Sequence, residues 1–233
     1  WVAAQADCHA FNVAHATRKR GVGVAAGWYG CGNTSMPNPS TIRAGLRADG
    51  TVVLHQGAMD IGQGSNTVIP QIFARAFGVP VHDIALIGAD TDLTPDAGKT
   101  SASRQTFVTG NAARLAGEAL RKAVLGQVNA SPDSVITLDT AGLTVTDGAQ
   151  TFTLDLARLS PNPAGYVLEV AETYDPPTKP LDKNGQGEPY AQYGYAAHLV
   201  VVEVDIPLGR VRPLRFVAAH DVGQAINPLL VEG

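Results

Sequence analysis

The chain has 233 residues, 16% of them charged and 45% hydrophobic, with a net charge of −4 at neutral pH. That length can bury a real core in one large domain or two small ones, and the composition excludes a disordered chain. An acidic balance without a basic stripe argues against a nucleic-acid partner, and no apolar run reaches the roughly twenty residues of a spanning helix.

Two cysteines, Cys8 and Cys31, make neither a disulfide framework nor a metal cluster. No signal peptide is visible, which points to the cytoplasm, and the start at Trp1 leaves the natural beginning of the polypeptide open. Few charges and 25 glycines suggest a chain that hides much of its surface against other polypeptides. Trp1 to Phe11 reads as a helix tail cut from something larger, and Leu229 to Gly233 stops without a turn. The expectation is a piece of a larger assembly, continuing past Gly233 with a glutamine.

In chain order, residues 1–20 read as a helix whose Arg18-Lys19-Arg20 run sits at its C-terminal end, where cations suit the helix dipole. Gly21 to Gly32 alternates glycine with Val, Ala, Trp and Tyr, as a buried strand in a crowded place would. Ile42–Arg47 and Thr51–Gln56 flank an Asp49-Gly50 turn and predict a β-hairpin. A helix over 65–77, a strand over 84–90 and a helix over 104–126 follow, with Pro70 expected to delay or bend the first helix. From Asn129 the texture changes to short strands at 135–138, 143–145 and 151–154, parted by Asp-Gly and Ala-Gly turns. Val167–Thr173 is strand-like, Asp175–Pro189 is a long Pro/Gly/Lys loop, and Tyr195–Asp205 with Val211–His220 predicts a terminal ribbon. The fold class is α+β, mixing βαβ-like and antiparallel elements.

Two strand-to-helix junctions carry the chemistry. At Ile61-Gly62-Gln63-Gly64-Ser65-Asn66-Thr67 two glycines allow close backbone approach, and the N–H groups of the helix start favour an anion. Gln63 offers donors and an acceptor to a polar ligand edge. A plain turn explains the same residues. At Thr100-Ser101-Ala102-Ser103-Arg104-Gln105 the hydroxyls and a guanidinium can hold a phosphate or carboxylate. An ordinary capped helix with a Ser/Thr loop is the competing reading, with Arg104 paired to Asp92 or Asp96. His198 and His220 are better read as buried or paired structural histidines than as metal ligands, lacking a partner at ligand spacing. Cys31 reads as a small buried hydrophobe, and Glu188, Tyr190 and Tyr193 as core packing. Asp221 and Asn227 read as local turn residues.

Taken together these motifs resemble the molybdenum-binding subunit of the xanthine dehydrogenase family. Trp28-Tyr29-Gly30-Cys31-Gly32-Asn33-Thr34 resembles its substrate-side loop, and Asp221-Val222-Gly223-Gln224-Ala225-Ile226-Asn227-Pro228 its Asp-x-Gly-x-x-Ile-Asn-Pro segment. Within the family the likeness is to the nicotinate-oxidising branch, where the molybdenum polypeptide is split in two. The resemblance implies part of a larger molybdopterin-binding domain, with residues 1–130 as the cofactor-binding half and 131–233 as a β-rich portion. It implies molybdenum with molybdopterin cytosine dinucleotide, and hydroxylation of an N-heteroaromatic substrate such as nicotinate with oxygen from water. Gln63 takes the catalytic role. Gly62, Gln63, Gly64, Thr100, Ser101, Ala102, Ser103, Arg104 and Gln105 hold the cofactor, and Gly32 and Asn33 lie beside the substrate. Asp221 and Asn227 become supports of the cofactor loops, and no side chain here ligates the metal. The family's general-base glutamate has no match, so a remaining molybdopterin-subunit polypeptide must carry it. Fe–S and FAD belong to partner subunits. An aldehyde- or carbon-monoxide-oxidising member, or a non-catalytic structural subunit, are the alternatives.

Overall fold

The computed structural model describes residues 1–33, 36–139 and 142–232. Thr34 of the substrate-side motif, Ala141 of the Ala-Gly turn and Gly233 lie outside the described residues. Helix α1 spans Val2–Ala14 and strand β1 spans Arg18–Gly30. The Arg18-Lys19-Arg20 run therefore opens a strand, which corrects the expectation of a cationic helix end. The electrostatic logic survives in another form. Lys19 reaches back and donates to the carbonyls of Asn12 and His15 at 2.7 Å each, satisfying acceptors that the helix leaves open. Arg20 lies 3.6 Å over the Phe11 ring, and its backbone pairs with the Asn12 amide through both its N–H and its carbonyl. These bonds tie α1 to β1. Strand β1 is mostly exposed rather than buried, because its small residues carry little surface to bury and no apolar layer covers them.

Strands β2 (Ser40–Leu46) and β3 (Val52–Gln56) form the predicted hairpin, closed through Gly50 at φ +87°. Helix α2 (Ser65–Phe77) then crosses to β4 (Ile84–Gly88), which pairs parallel with β3, so β3–α2–β4 is a true βαβ unit. Pro70 sits inside α2 without ending it, and its ring joins the buried face. Helix α3 (Gln105–Gly126) is 22 residues long. Strands β5 (Val135–Asp139), β6 (Gly142–Asp147) and β7 (Gln150–Leu154) make a three-stranded antiparallel meander. Strand β8 (Leu168–Tyr174) returns to pair with β2, giving a four-stranded sheet in the order β4-β3-β2-β8.

One face of that sheet is apolar at every second residue. Ile42, Ala44 and Leu46 of β2 and Val52 and Leu54 of β3 are fully buried against Ile69, Phe73 and Phe77 of α2 and Ala112, Ala116 and Leu120 of α3. The meander adds Ile136, Leu143 and Val145 to the same core. Helices α2 and α3 approach closely at Gly117, where an added Cβ would stand 2.8 Å from Ala76 Cβ and from the Phe73 carbonyl.

The chain ends with β9 (Tyr193–Asp205), β10 (Arg210–Asp221) and the short helix α4 (Pro228–Glu232). The predicted ribbon of β9 and β10 is present, and β1 pairs along the whole other side of β9. The pairing of β1 with β9 makes residues 1–30 and 193–224 one compact unit, and residues 31–192 with the segment from Ala225 another. The segments 1–130 and 131–233 therefore each contribute to both units. The chain is α+β. Among the described residues no helix is long and apolar enough to cross a membrane.

Candidate functional site

Residues 31–192 bring the predicted loops together. The loop before α2 is organised by Asp60. Its carboxylate accepts from the backbone N–H groups of Gly62 at 2.9 Å, Gly64 at 3.3 Å and Asn66 at 3.0 Å. The bond from Asn66, then that from Gly62, hold the Asp60 carboxyl below the usual aspartate range. An internal carboxylate therefore occupies donors that the sequence reading left open for a bound anion. Gly62 and Gly64 stand at φ +104° and +83°, which lets the chain wrap the carboxylate so tightly. Gln63 is exposed at the tip, and its amide is held from both sides. Its Oε1 accepts from Ile61 N–H at 2.7 Å and its Nε2 donates to the Met59 carbonyl at 3.0 Å.

The same Met59 carbonyl accepts from Thr100 Oγ1 at 2.8 Å, joining this loop to the second one. Gln105 Nε2 donates to Thr100 Oγ1 at 3.1 Å, Gln105 Oε1 accepts from Thr109, and Thr109 Oγ1 lies 2.7 Å from Ser40 Oγ. A polar chain thus runs from the loop surface into β2. Ala102 and Ser103 both adopt φ near +52°, a left-handed conformation that costs a non-glycine residue energy and marks a constrained loop.

Arg104 pairs with neither Asp92 nor Asp96 among the described residues, which corrects the ion-pair reading, and its guanidinium is turned onto carbonyls and one amide oxygen. The side chain is 1% exposed, the largest fully buried one among the described residues. Its Nε donates to Asn38 Oδ1 at 2.6 Å and its Nη2 to the carbonyls of Asn38 at 3.0 Å and Pro39 at 2.8 Å. Its Nη1 donates to the Ala97 carbonyl and to that of Lys99 at 3.2 Å. Burial lowers its pKa, and the charges of Asp96 and Asp175 oppose that shift from a distance. Guanidinium matches a ring of carbonyls because its donors are planar and fixed.

The third loop is tied to the second. Gly32 N–H donates to the Ala102 carbonyl at 2.8 Å, and Asn33 Nδ2 donates to Asn38 Oδ1 at 3.2 Å. Gln63, Thr100, Ser101, Ala102, Ser103, Arg104 and Gln105 border one open cavity of about 320 Å³, together with Ile61 and Thr106. Among the described residues no carboxylate lines it. Asp60, Asn38 and Asp175 went unnoticed in the sequence. The Asp-x-Gly spacing at Asp60 was a readable turn signal, whereas Asn38 between Pro37 and Pro39 had none.

The remaining candidates lie elsewhere or act locally. Trp28 and Tyr29 belong to the compact unit built on β1, so the substrate-side motif straddles the boundary at Gly30. Cys31 is half-buried, and its N–H donates to the Gln192 carbonyl at 2.9 Å. Glu188 is exposed and pairs with Lys179 at 2.5 Å, which corrects its assignment to the core. Asp221 accepts from Gly223 N–H at 2.9 Å, and Asn227 Oδ1 from Leu230 N–H at 3.3 Å at the start of α4. His198 and His220 meet with their Nε2 atoms 2.7 Å apart, a pair in which one imidazole donates and the other accepts. They are paired on an open sheet face, not buried.

Comparison with known proteins places the chain in a family. A family model described as a molybdopterin cofactor-binding domain matches residues 1–233. The xanthine dehydrogenase molybdenum-binding subunit of Escherichia coli O157:H7 is 30% identical over 92% of this chain and 28% of its own length. The 6-hydroxypseudooxynicotine dehydrogenase complex subunit gamma of Paenarthrobacter nicotinovorans is 30% identical over 79% of this chain and 23% of its own. Among solved structures, the aldehyde oxidoreductase of Desulfovibrio desulfuricans superposes with a TM-score of 0.76 at 29% identity, covering 99% of this chain and 23% of that protein. The chain spans less than a third of the length of these relatives.

Proposed function

This chain belongs to the family of molybdopterin cofactor-binding domains, and on that premise we propose that it supplies one wall of the active site of a molybdenum hydroxylase. The observation that carries the reading is the cavity bordered by Gln63 and the stretch 100–106, with the Gly32–Asn33 loop bonded to its rim. Its lining of hydroxyls and amides without a carboxylate suits a polar, anionic occupant. Gly62 leaves open space where a Cβ would stand, and the buried Ser65 Oγ has no hydrogen-bond partner among the described residues. These features fit a molybdopterin group, and the sequence resemblance implies its cytosine dinucleotide form.

When bound, that cofactor supplies the oxidation of a carbon next to nitrogen, with water as the oxygen source. Gln63 would address the metal site with the remaining N–H of its amide, pre-oriented by its bonds to Ile61 and Met59. Gly62 and Gly64 keep the approach clear. Thr100, Ser101, Ala102, Ser103 and Gln105 would border the pterin and its phosphates, the serines offering hydroxyl donors while the Thr100 hydroxyl and the Gln105 amide, engaged with Met59 and with each other, fix the wall behind them. Arg104 serves the same site through loop shape, its guanidinium being occupied. Gly32 and Asn33 lie beside the substrate. The general-base glutamate comes from the remaining molybdopterin-subunit polypeptide, and electrons leave through Fe–S and FAD partner subunits in the cytoplasm.

The substrate class is an N-heteroaromatic such as nicotinate, which the name of the nicotine-derivative dehydrogenase relative and the Trp28-Tyr29 pair support. Molybdenum and released cytidine monophosphate are measured on the denatured assembled protein, and its turnover on nicotinate, purines and aldehydes is compared. Stoichiometric molybdenum with nicotinate oxidation is the expected result. An assembled protein free of molybdenum and nucleotide overturns the reading and leaves a structural subunit. A preference for aldehydes corrects the substrate class alone.

A further inference from the structure

Three segments far apart in sequence meet at one buried residue, Asn38, which is 5% exposed. Its Oδ1 accepts from Arg104 Nε at 2.6 Å and from Asn33 Nδ2 at 3.2 Å. Its carbonyl accepts from Arg104 Nη2 at 3.0 Å, and its N–H donates to Asp175 Oδ1 at 2.8 Å. The Arg104 guanidinium carries the connection onward to the carbonyls of Ala97 and Lys99, under the loop that forms the cavity wall. On the other side, Gly32 is packed so closely that an added Cβ would stand 2.6 Å from Asn38 Nδ2. Gly32 N–H in turn holds the Ala102 carbonyl. The Gly32–Asn33 loop and the 97–104 loop are thus closed into a ring of bonds whose one shared buried acceptor is Asn38 Oδ1.

Asn38 does not border the cavity. We propose that Asn38 is a positioning residue that couples the Gly32–Asn33 loop to the 97–104 loop, setting cofactor retention and substrate affinity from behind the wall. The consequence for cofactor and substrate rests on the molybdenum-hydroxylase reading, whereas the coupling itself does not. A ring of this kind moves as a unit, since loosening the shared acceptor releases both loops and leaves buried donors unsatisfied.

The test uses the assembled protein carrying Asn38→Leu, which keeps the branched outline and removes the acceptor, or Asn38→Asp, which retains it. Hydrogen exchange is read at Gly32 and across 97–104, with α3 and the β2–β3 hairpin as internal controls. For Asn38→Leu we expect exchange in both loops to speed up together by about tenfold, while the controls stay within about twofold. Asn38→Asp should remain near wild type. Should Asn38→Leu not assemble, Arg104→Lys is read the same way, because lysine keeps the charge but cannot reach Asn38 and the facing carbonyls at once.

Faster exchange in one loop alone, or equal acceleration in loops and controls, overturns the coupling. In molybdenum-loaded enzyme, KM for the heteroaromatic substrate should rise about tenfold with Asn38→Leu, and molybdenum per chain should fall. A variant with a lowered Tm but wild-type KM and molybdenum content would make Asn38 merely structural. A wild-type assembly without molybdenum would remove the hydroxylase reading and leave the exchange result to decide the coupling.

Discussion

Arg104 shows how a residue's type can mislead about its partner. An arginine between Ser103 and Gln105 at a helix start invites a phosphate, yet five donors in a fixed plane are equally suited to carbonyls, and residues 38–39 and 97–99 supply four of them plus an amide oxygen. Arg104→Ala should therefore lower the stability of the protein by about 3 kcal/mol or more, since several buried carbonyls lose their donors at once. Thermal melts of cofactor-free protein measure this, and an unchanged midpoint would contradict the carbonyl cage. Gln63→Ala is expected to lower turnover per molybdenum by roughly one to three orders of magnitude, the usual cost of losing one oriented polar group at a reacting centre. Full turnover in that variant would confine Gln63 to bracing Ile61 and Met59. Asp60 makes a prediction about acid. Its folded-state pKa is depressed, so its contribution is complete above the ordinary aspartate value of about 3.9 and is lost as pH falls through the lower folded value. Protection of Gly62, Gly64 and Asn66 relative to their intrinsic exchange rates should fall in that acid window, and Asp60→Ala should show the reduced protection already at neutral pH. Identical pH profiles in both proteins would rule out the carboxylate as the anchor.

At the scale of elements, the legible parts are those where local chemistry and tertiary packing agree. The β2–β3 hairpin follows from Asp49-Gly50 between two β-rich runs, and α2 and α3 follow from apolar residues at helical spacing. The converging loops are legible as motifs because their residue types are unusual together at two strand-to-helix junctions. What cannot be read is anything decided by partners distant in sequence. Lys19 could be placed at a helix end by charge, but only the pairing of β1 with β9 shows that it serves the helix from a strand. Asn38 carries little local signal, since of its three partners only Asn33 is near in sequence while Arg104 and Asp175 are distant. Gly117 is similar, because nothing in the sequence around it shows that α2 crosses there. Helix propensity alone would make Gly117→Ala stabilising by about 1 kcal/mol. The added Cβ, 2.8 Å from Ala76 Cβ and the Phe73 carbonyl, should reverse that sign through an overpacking cost of about 1–3 kcal/mol. A raised melting temperature in Gly117→Ala would show that the helices can separate without loss.

For the whole molecule, the uneven distribution of burial is the informative property. Residues 31–192 hold the extended apolar core, whereas every residue of β10 is exposed and Trp28, Tyr195 and Phe216 are 72%, 55% and 61% exposed on their sheet. Strand β10 is also an edge, bonded to β9 on one side only in the order β1-β9-β10. An edge of this length is a template for a further strand unless charge or proline blunts it. Its first half is blunted by Arg210, Arg212, Pro213 and Arg215, with a register irregularity between Pro213 and Arg215. The stretch Phe216-Val217-Ala218-Ala219 that follows has neither charge nor proline. The chain taken alone should therefore associate through 216–219 as its concentration rises, and Val217→Lys should suppress this, because a lysine on an edge disfavours pairing. Light scattering coupled to gel filtration measures the association, and far-ultraviolet circular dichroism checks that the variant keeps its fold. A wild-type chain that stays monomeric at high concentration would mean that the arginine and proline positions of β10 already protect the whole edge. Association that persists undiminished in Val217→Lys would place the contact elsewhere, with the exposed aromatic row of Trp28 and Tyr195 as the next surface to change.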